Sequence, residues 1–169
     1  MGADVWTYFV PYQENLEQAL QDLQQELFRN GDYWLFDYSD LSLETFLPPD
    51  YQDWMSAAEI AEQRALFQRL QSGPEPQTIE ELREWQGAEG CGSILDMHRI
   101  SERGSPGTIS LLTPPELERE FGTTQPSHAQ IANRDTSYLD TCERDEGIAI
   151  IVYRDGLPDK IFFAGISGD

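Results

Sequence analysis

Apolar residues recur along this chain with two different periods, and the periods occupy separate stretches. Val5-Trp6-Thr7-Tyr8-Phe9-Val10 is a β-branched and aromatic run that stops at Pro11, and it predicts a first strand. From 14 to 30 the period becomes helical. Leu16, Leu20, Leu23 and Leu27 fall on one stripe, Ala19 and Phe28 widen it, and Asn30-Gly31 supplies a stop. The polar face of that helix is mostly Gln and Glu. Ser56 with Glu59 makes a capping-box pattern at the head of a helix predicted to run to about Gln71, with Ile60, Leu66, Phe67 and Leu70 on its apolar face. After the break at 72–76, Thr78 and Glu81 cap a shorter helix that buries Leu82 and Trp85.

The second half reads in the same way. Ser93 to Ile100 is predicted as a strand with Leu95 and Met97 on one face and Asp96 and His98 on the other. Thr108 to Leu112 predicts a further strand. Thr113-Pro114-Pro115-Glu116 is a helix start that Gly122 ends, and Ser127 with Gln130 opens a helix expected to reach about Cys142. Residues 147–154 and 160–166 flank Asp155-Gly156 and predict a β-hairpin. Strands and helices do not alternate as βαβ units. The expectation is a single domain over 1–169 of the α+β class, an antiparallel or mixed sheet of about four to five strands with helices packed mainly on one face and the hairpin at its C-terminal end. The 73–77 break is too short to separate two domains, and 169 residues suffice for one real core.

One stretch departs from this ordinary pattern. Between Arg29 and Arg64 there is no Lys or Arg, yet there are eight carboxylates and seven of the 19 aromatic residues. Tyr33 to Tyr38 reads as a short strand, with Tyr33, Trp34 and Phe36 as core candidates. Phe46, Tyr51 and Trp54 sit among Pro and Asp with no period, so some of them are expected to be exposed. Exposed aromatics ringed by carboxylates suit a basic partner, with the rings as anchors and the charges at the rim. The candidate binding residues are Asp37, Asp40, Phe46, Asp50, Tyr51, Asp53 and Trp54.

Composition sharpens this. The chain has 31 acidic residues, ten Arg and one Lys (Lys160), for a net charge of −20. Residues 1–60 alone carry 12 acids and one base. Such a field repels phosphate backbones and anionic membranes, so nucleic acid is not an expected partner. No apolar run approaches a membrane span, and Met1 leads into a strand without a basic or apolar leader, so neither a membrane nor export is expected. Two cysteines make no disulfide framework, and the expected location is the cytoplasm.

Tyr8-Phe9-Val10-Pro11-Tyr12-Gln13 near the start, Ser93-Ile94-Leu95-Asp96 in the middle and Phe163-Ala164-Gly165-Ile166-Ser167-Gly168-Asp169 at the end resemble a family of small uncharacterised bacterial proteins. The resemblance covers about half of the chain. It implies a bacterial source and no activity, so it assigns no role to any residue.

Chemistry is sparse. Cys91 lies in the turn Glu89-Gly90-Cys91-Gly92-Ser93, and the only histidines are His98 and His128, with Asp96 available to orient one of them. A thiol nucleophile needs an exposed turn and a nearby base, and His98 lies seven residues further along a predicted strand leading away from Cys91. Asp96 and His98 on a shared strand face would make two metal ligands, without an evident third. No twelve-residue calcium loop follows Asp37, Asp40 and Glu44, and Gly90-Cys91-Gly92 lacks the Lys-Ser/Thr of a phosphate cradle. No metal site or cofactor is expected. The leading expectation is therefore a non-enzymatic, acidic protein-binding module, inhibitor-like or immunity-like in its charge. The alternatives are a small enzyme using Cys91 with His98 or His128, and an oligomeric scaffold that joins copies through the same aromatics.

Overall fold

Among the described residues five strands form one sheet: β1 (Asp4–Pro11), β2 (Arg99–Ser101), β3 (Thr108–Leu111), β4 (Glu146–Arg154) and β5 (Leu157–Ser167). The computed structural model describes residues 4–87, 90–139 and 142–167. The strand order is β1-β5-β4-β3-β2. β1 and β4 both run antiparallel to β5, while β3 runs parallel to β4 and β2 parallel to β3, so the sheet is mixed. The hairpin joins β4 to β5 at Asp155-Gly156, where both residues take positive φ (52° and 76°) as a tight two-residue turn requires.

Among the described residues seven helices accompany the sheet: α1 (Leu16–Asn30), α2 (Leu43–Phe46), α3 (Pro49–Gln52), α4 (Ala57–Ser72), α5 (Ile79–Gln86), α6 (Pro114–Phe121) and α7 (His128–Ala132). The fold is α+β, as the pattern predicts. Alternation along the strands divides the core in two. On one face Trp6, Ile161 and Phe163 meet Leu20, Leu23 and Leu27 of α1 and Leu82 of α5. On the other, Ile148, Ile150, Val152 and Phe162 meet Ile131, Tyr138 and Leu139. The long α1 covers the first face. The short α6 and α7 and a 3-10 turn at Thr136–Leu139 belong to the second.

The first face is built around one large side chain. Trp6 is the register partner of Gly165, and Gly165 is the partner of Gly147. A Cβ on Gly165 would lie 2.2 Å from Trp6 Cζ2, and one on Gly147 would lie 2.8 Å from Trp6 Cη2. The two missing side chains make room for the indole to rest against the sheet.

Three predicted elements differ. Residues 93–100 are not one strand: Ile94–Asp96 is a 3-10 turn, and pairing is confined to Arg99–Ser101. Side chains there occupy the acceptors a ladder would need. Gln24 Nε2 donates to the carbonyls of Ile94 and Met97 (2.8 and 2.7 Å). Arg83 donates to those of Leu95 and Met97 (2.6 Å each). Asp96 and His98 therefore do not share a strand face. The helix opened by Ser127 ends at Ala132 rather than near Cys142, because Asn133 caps it and Asp135 turns the chain through a bond from Ser137 N (3.3 Å). Its predicted stretch at 140–141 lies outside the described residues. Tyr33–Tyr38 forms no strand, for its backbone groups bond to α5. Gln86 Nε2 donates to Trp34 O (2.6 Å), Gln86 Oε1 accepts from Phe36 N (2.9 Å), and Trp85 Nε1 donates to Phe36 O (3.2 Å).

Candidate functional site

The acidic aromatic segment begins where Gly31 stops α1, in the left-handed region with φ 68°. From there it runs along the outside of α5 as a line of rings. Trp34 meets Phe36 edge-on at 5.6 Å, Phe36 lies 4.6 Å from Tyr38, Tyr38 stands 6.2 Å from both Phe46 and Trp85, and Phe46 lies 5.0 Å from Phe67. Tyr38 is the buried member, and its hydroxyl donates to Trp85 O (2.9 Å). Gln71 of α4 donates to Leu41 O (2.9 Å) and so ties the far side of the segment down.

The rings at the two ends of the segment are not buried. Trp34 is 57% exposed, Tyr51 66% and Trp54 91%. Phe46 is half-buried between Tyr38 and Phe67, so it serves the packing of the segment. Trp34, a core candidate by sequence, faces solvent instead. Local hydrogen bonding explains the exposure of Tyr51 and Trp54. The tight turns of α2 and α3, fixed by the Ser42 cap and by Gln52 Nε2 donating to Leu47 O (2.9 Å), satisfy their own backbones without packing on the sheet.

Asp37, Asp40, Asp50 and Asp53 are all exposed. The Ser39 backbone N–H donates to Asp37 Oδ1 (2.9 Å), and that bond, with the Ser39 hydroxyl, holds the carboxyl below the usual range. No ion pair is formed to these four aspartates among the described residues. Arg64, the first cation after the segment, turns to Gln52 Oε1 (3.4 Å). Apart from the turn bond at Asp37, no cation of the chain engages these carboxylates among the described residues.

The thiol candidate is arranged differently. Cys91 is 2% exposed and belongs to the first core face. Burial, and then the neighbouring Asp96 carboxylate, push its thiol far up, away from the thiolate form a nucleophile needs. Asp96 is engaged as a turn residue, accepting from Cys91 N (2.6 Å) and Ser93 N (3.3 Å). His128 is on the other side of the sheet, its ring tilted against Phe9 at 4.4 Å, and the two are not brought together. His98 is exposed and lines an open cleft of about 550 Å³ with Arg83, Asp96 and Asp145. Burial, then Arg83, hold its imidazole below the usual range. Cys142 is half-buried, and burial with Glu146 pushes it up to about 11. No group of three or more His, Cys, Asp or Glu suited to a metal ion occurs among the described residues. No helix among them is long and apolar enough to cross a membrane.

Two buried glutamines that hold irregular backbone in place carry no sequence signal for that role. Gln86 is 1% exposed and clamps the segment to α5, and Gln24 does the same service between α1 and 94–97. A glutamine on a helix reads as solvent-facing, and only its carbonyl partners reveal otherwise.

Comparison with family models, with curated proteins and with solved structures returns no match. The functional reading rests on the geometry of this chain.

Proposed function

We propose that this protein is a non-enzymatic docking module that binds a basic protein partner through the 34–54 surface. The observation that carries the reading is Trp54, a full indole left 91% exposed beside Asp50 and Asp53 in a stretch without a cation. Large aromatics in water are an unused source of binding energy, on the order of 2 kcal/mol each when they become an interface anchor. Around them, carboxylates speed the encounter with a cationic surface and pair with it at the rim. The net charge of −20 extends the same attraction to longer range. In this reading the module is a bacterial, cytoplasmic protein, where Cys91 and Cys142 stay reduced.

The test is paired capture from a bacterial lysate at low and high salt, using wild type and two surface variants as bait. One variant carries Asp37→Asn, Asp40→Asn, Asp50→Asn and Asp53→Asn, and the other carries Trp54→Ala. A basic protein held by wild type at low salt, released at high salt and reduced in both variants is the expected result. The same retained proteins on all three baits would sink the proposal. Concentration-dependent mass that Trp54→Ala abolishes would assign the surface to self-association instead.

A further inference from the structure

The face between α4 and α5 has a feature that the exposed rings do not explain. α4 is 16 residues long and buries only Phe67 and Leu70, whereas the 15-residue α1 buries five residues. Along the seam between α4 and α5 lies an apolar cleft of about 440 Å³, floored by Phe36, Tyr38, Phe46, Leu66, Leu70 and Trp85. A second, of about 480 Å³, adjoins it at Gln63, Leu66 and Glu84, and together they make the trough along α4. One ion pair spans the seam, Arg69 of α4 to Glu84 of α5 at 3.2 Å, with both side chains more than half exposed.

We infer that this trough takes a cationic amphipathic helix of the basic partner, whose apolar side fills it while its Lys and Arg side chains pair with Glu62 and Glu84. The inference rests on the docking reading above and adds a second contact for the same partner, beside the one at Trp54. Charge selects the occupant. Glu62 and Glu84 stand on the walls against Arg69 alone. An acidic segment is repelled, and a second copy would bring a net −20 against −20. Arg69 shows that Glu84 accepts a guanidinium from across the trough through Oε2, and a partner arginine would use the other oxygen, Oε1, or displace Arg69. Spacing selects a helix. Glu62, Leu66, Arg69 and Leu70 fall on one face of α4 over about 12 Å, two turns of an opposing helix, which presents anchors at i and i+4 about 6 Å apart.

The probe is a synthetic lysine–leucine peptide of about five helical turns, with its leucines on one face. Its controls are a permuted peptide of the same composition and a glutamate–leucine counterpart. Binding to the full chain is read by fluorescence anisotropy and by ¹H–¹⁵N spectra. We expect the amphipathic peptide to bind at least ~10-fold tighter than the permuted one, with no binding of the acidic peptide. The Trp85 indole N–H resonance should shift and that of Trp6 should stay. Leu66→Gln and the trough-filling Gln63→Trp should each weaken binding ~10-fold or more, and Trp54→Ala less than ~2-fold. Thermal melts show that the variants are folded, and the Trp85 shift is read on wild type, so neither conclusion depends on one variant. Equal, salt-sensitive binding of both lysine peptides, or a silent Trp85, would overturn the trough and leave the docking reading standing. Failure of every cationic peptide, together with loss of the captured basic partner, would remove both.

Discussion

Two regions of the molecule treat their aromatic residues in opposite ways. In the sheet, Trp6, Phe162 and Phe163 are at most 5% exposed, and the chain gives up side chains at Gly147 and Gly165 to admit one indole. In the 34–54 segment, Trp34, Tyr51 and Trp54 are 57%, 66% and 91% exposed, within reach of a partner. A chain that buries aromatics so thoroughly in one place has no shortage of apolar room. The exposed rings are the feature on which the docking proposal rests. The attachment differs as well: the sheet is held by burial, and the segment by a few polar clamps from Gln86, Trp85 and Gln71.

Substitution in the sheet should have the largest effect. In Gly165→Ala the new Cβ meets Trp6 Cζ2 at 2.2 Å and the Glu146 carbonyl oxygen at 2.7 Å, and the backbone oxygen cannot swing away. Urea denaturation should show a loss of about 3 kcal/mol, the upper range for overpacking. Gly31→Ala is the control. Nothing lies within 4 Å of its Cβ, so only the positive φ is penalised, and the loss should be about 1 kcal/mol. Similar losses for the two would mean that the indole does not fix the sheet.

The clamps come next. Gln86→Ala leaves Trp34 O and Phe36 N without their partner, at a cost of about 2 kcal/mol for two unsatisfied backbone groups in a part-buried site. The effect should be local. Amide exchange should quicken over 34–46 and remain slow in β4 and β5. Gln24→Ala removes the corresponding bonds to Ile94 and Met97, inside the first core face, and should quicken exchange in 94–97. Loss of protection across the whole sheet in Gln86→Ala would show that the segment is part of the main cooperative unit.

These glutamines also mark where sequence reading stops. The strand β1, the helix α1, the Ser56–Glu59 capping box and the closing hairpin were legible, because period and capping chemistry are local. That one or two of Phe46, Tyr51 and Trp54 are exposed was legible, from the absence of any period around them, but which ones was not. Residues 93–100 were not, since an alternation of apolar and polar side chains is shared by a strand and by a turn whose carbonyls are held from outside. The holders, Gln24 and Arg83, lie at least ten residues away in sequence. The trough was missed for a related reason. It exists only once α4 and α5 are placed side by side, and its floor draws on four separate stretches of chain.

A smaller effect separates capping from surface charge. Glu116 Oε2 accepts from the Thr113 hydroxyl (2.6 Å) and backbone N–H (2.7 Å), and these bonds hold its carboxyl below the usual range. A depressed folded-state value means that the ionised form stabilises the fold. That contribution is fully present above the ordinary glutamate value of about 4.3 and is lost as pH falls through the folded value. The group is largely solvated, so the contribution is on the order of a few tenths of a kcal/mol. Glu116→Gln keeps an acceptor at the cap and removes the titration. Its deficit in Tm against wild type at pH 7 should therefore shrink by pH 3, and a constant deficit would assign the effect to geometry alone.

The smallest expected effect on stability makes the sharpest contrast. Trp54 makes no ring contact among the described residues, and its backbone N–H bond to Tyr51 O (3.2 Å) survives any side chain. Trp54→Ala should change stability by less than about 0.5 kcal/mol, as for an ordinary surface site. Tyr51→Ala should behave in the same way. If both variants fold as well as wild type yet fail to retain a partner, the two rings are kept for binding and the comparison of regions stands. If Trp54→Ala instead lowers Tm by several degrees at every protein concentration, the indole is packing against its own chain. The exposed surface would then shrink to Trp34 and the trough beside Trp85.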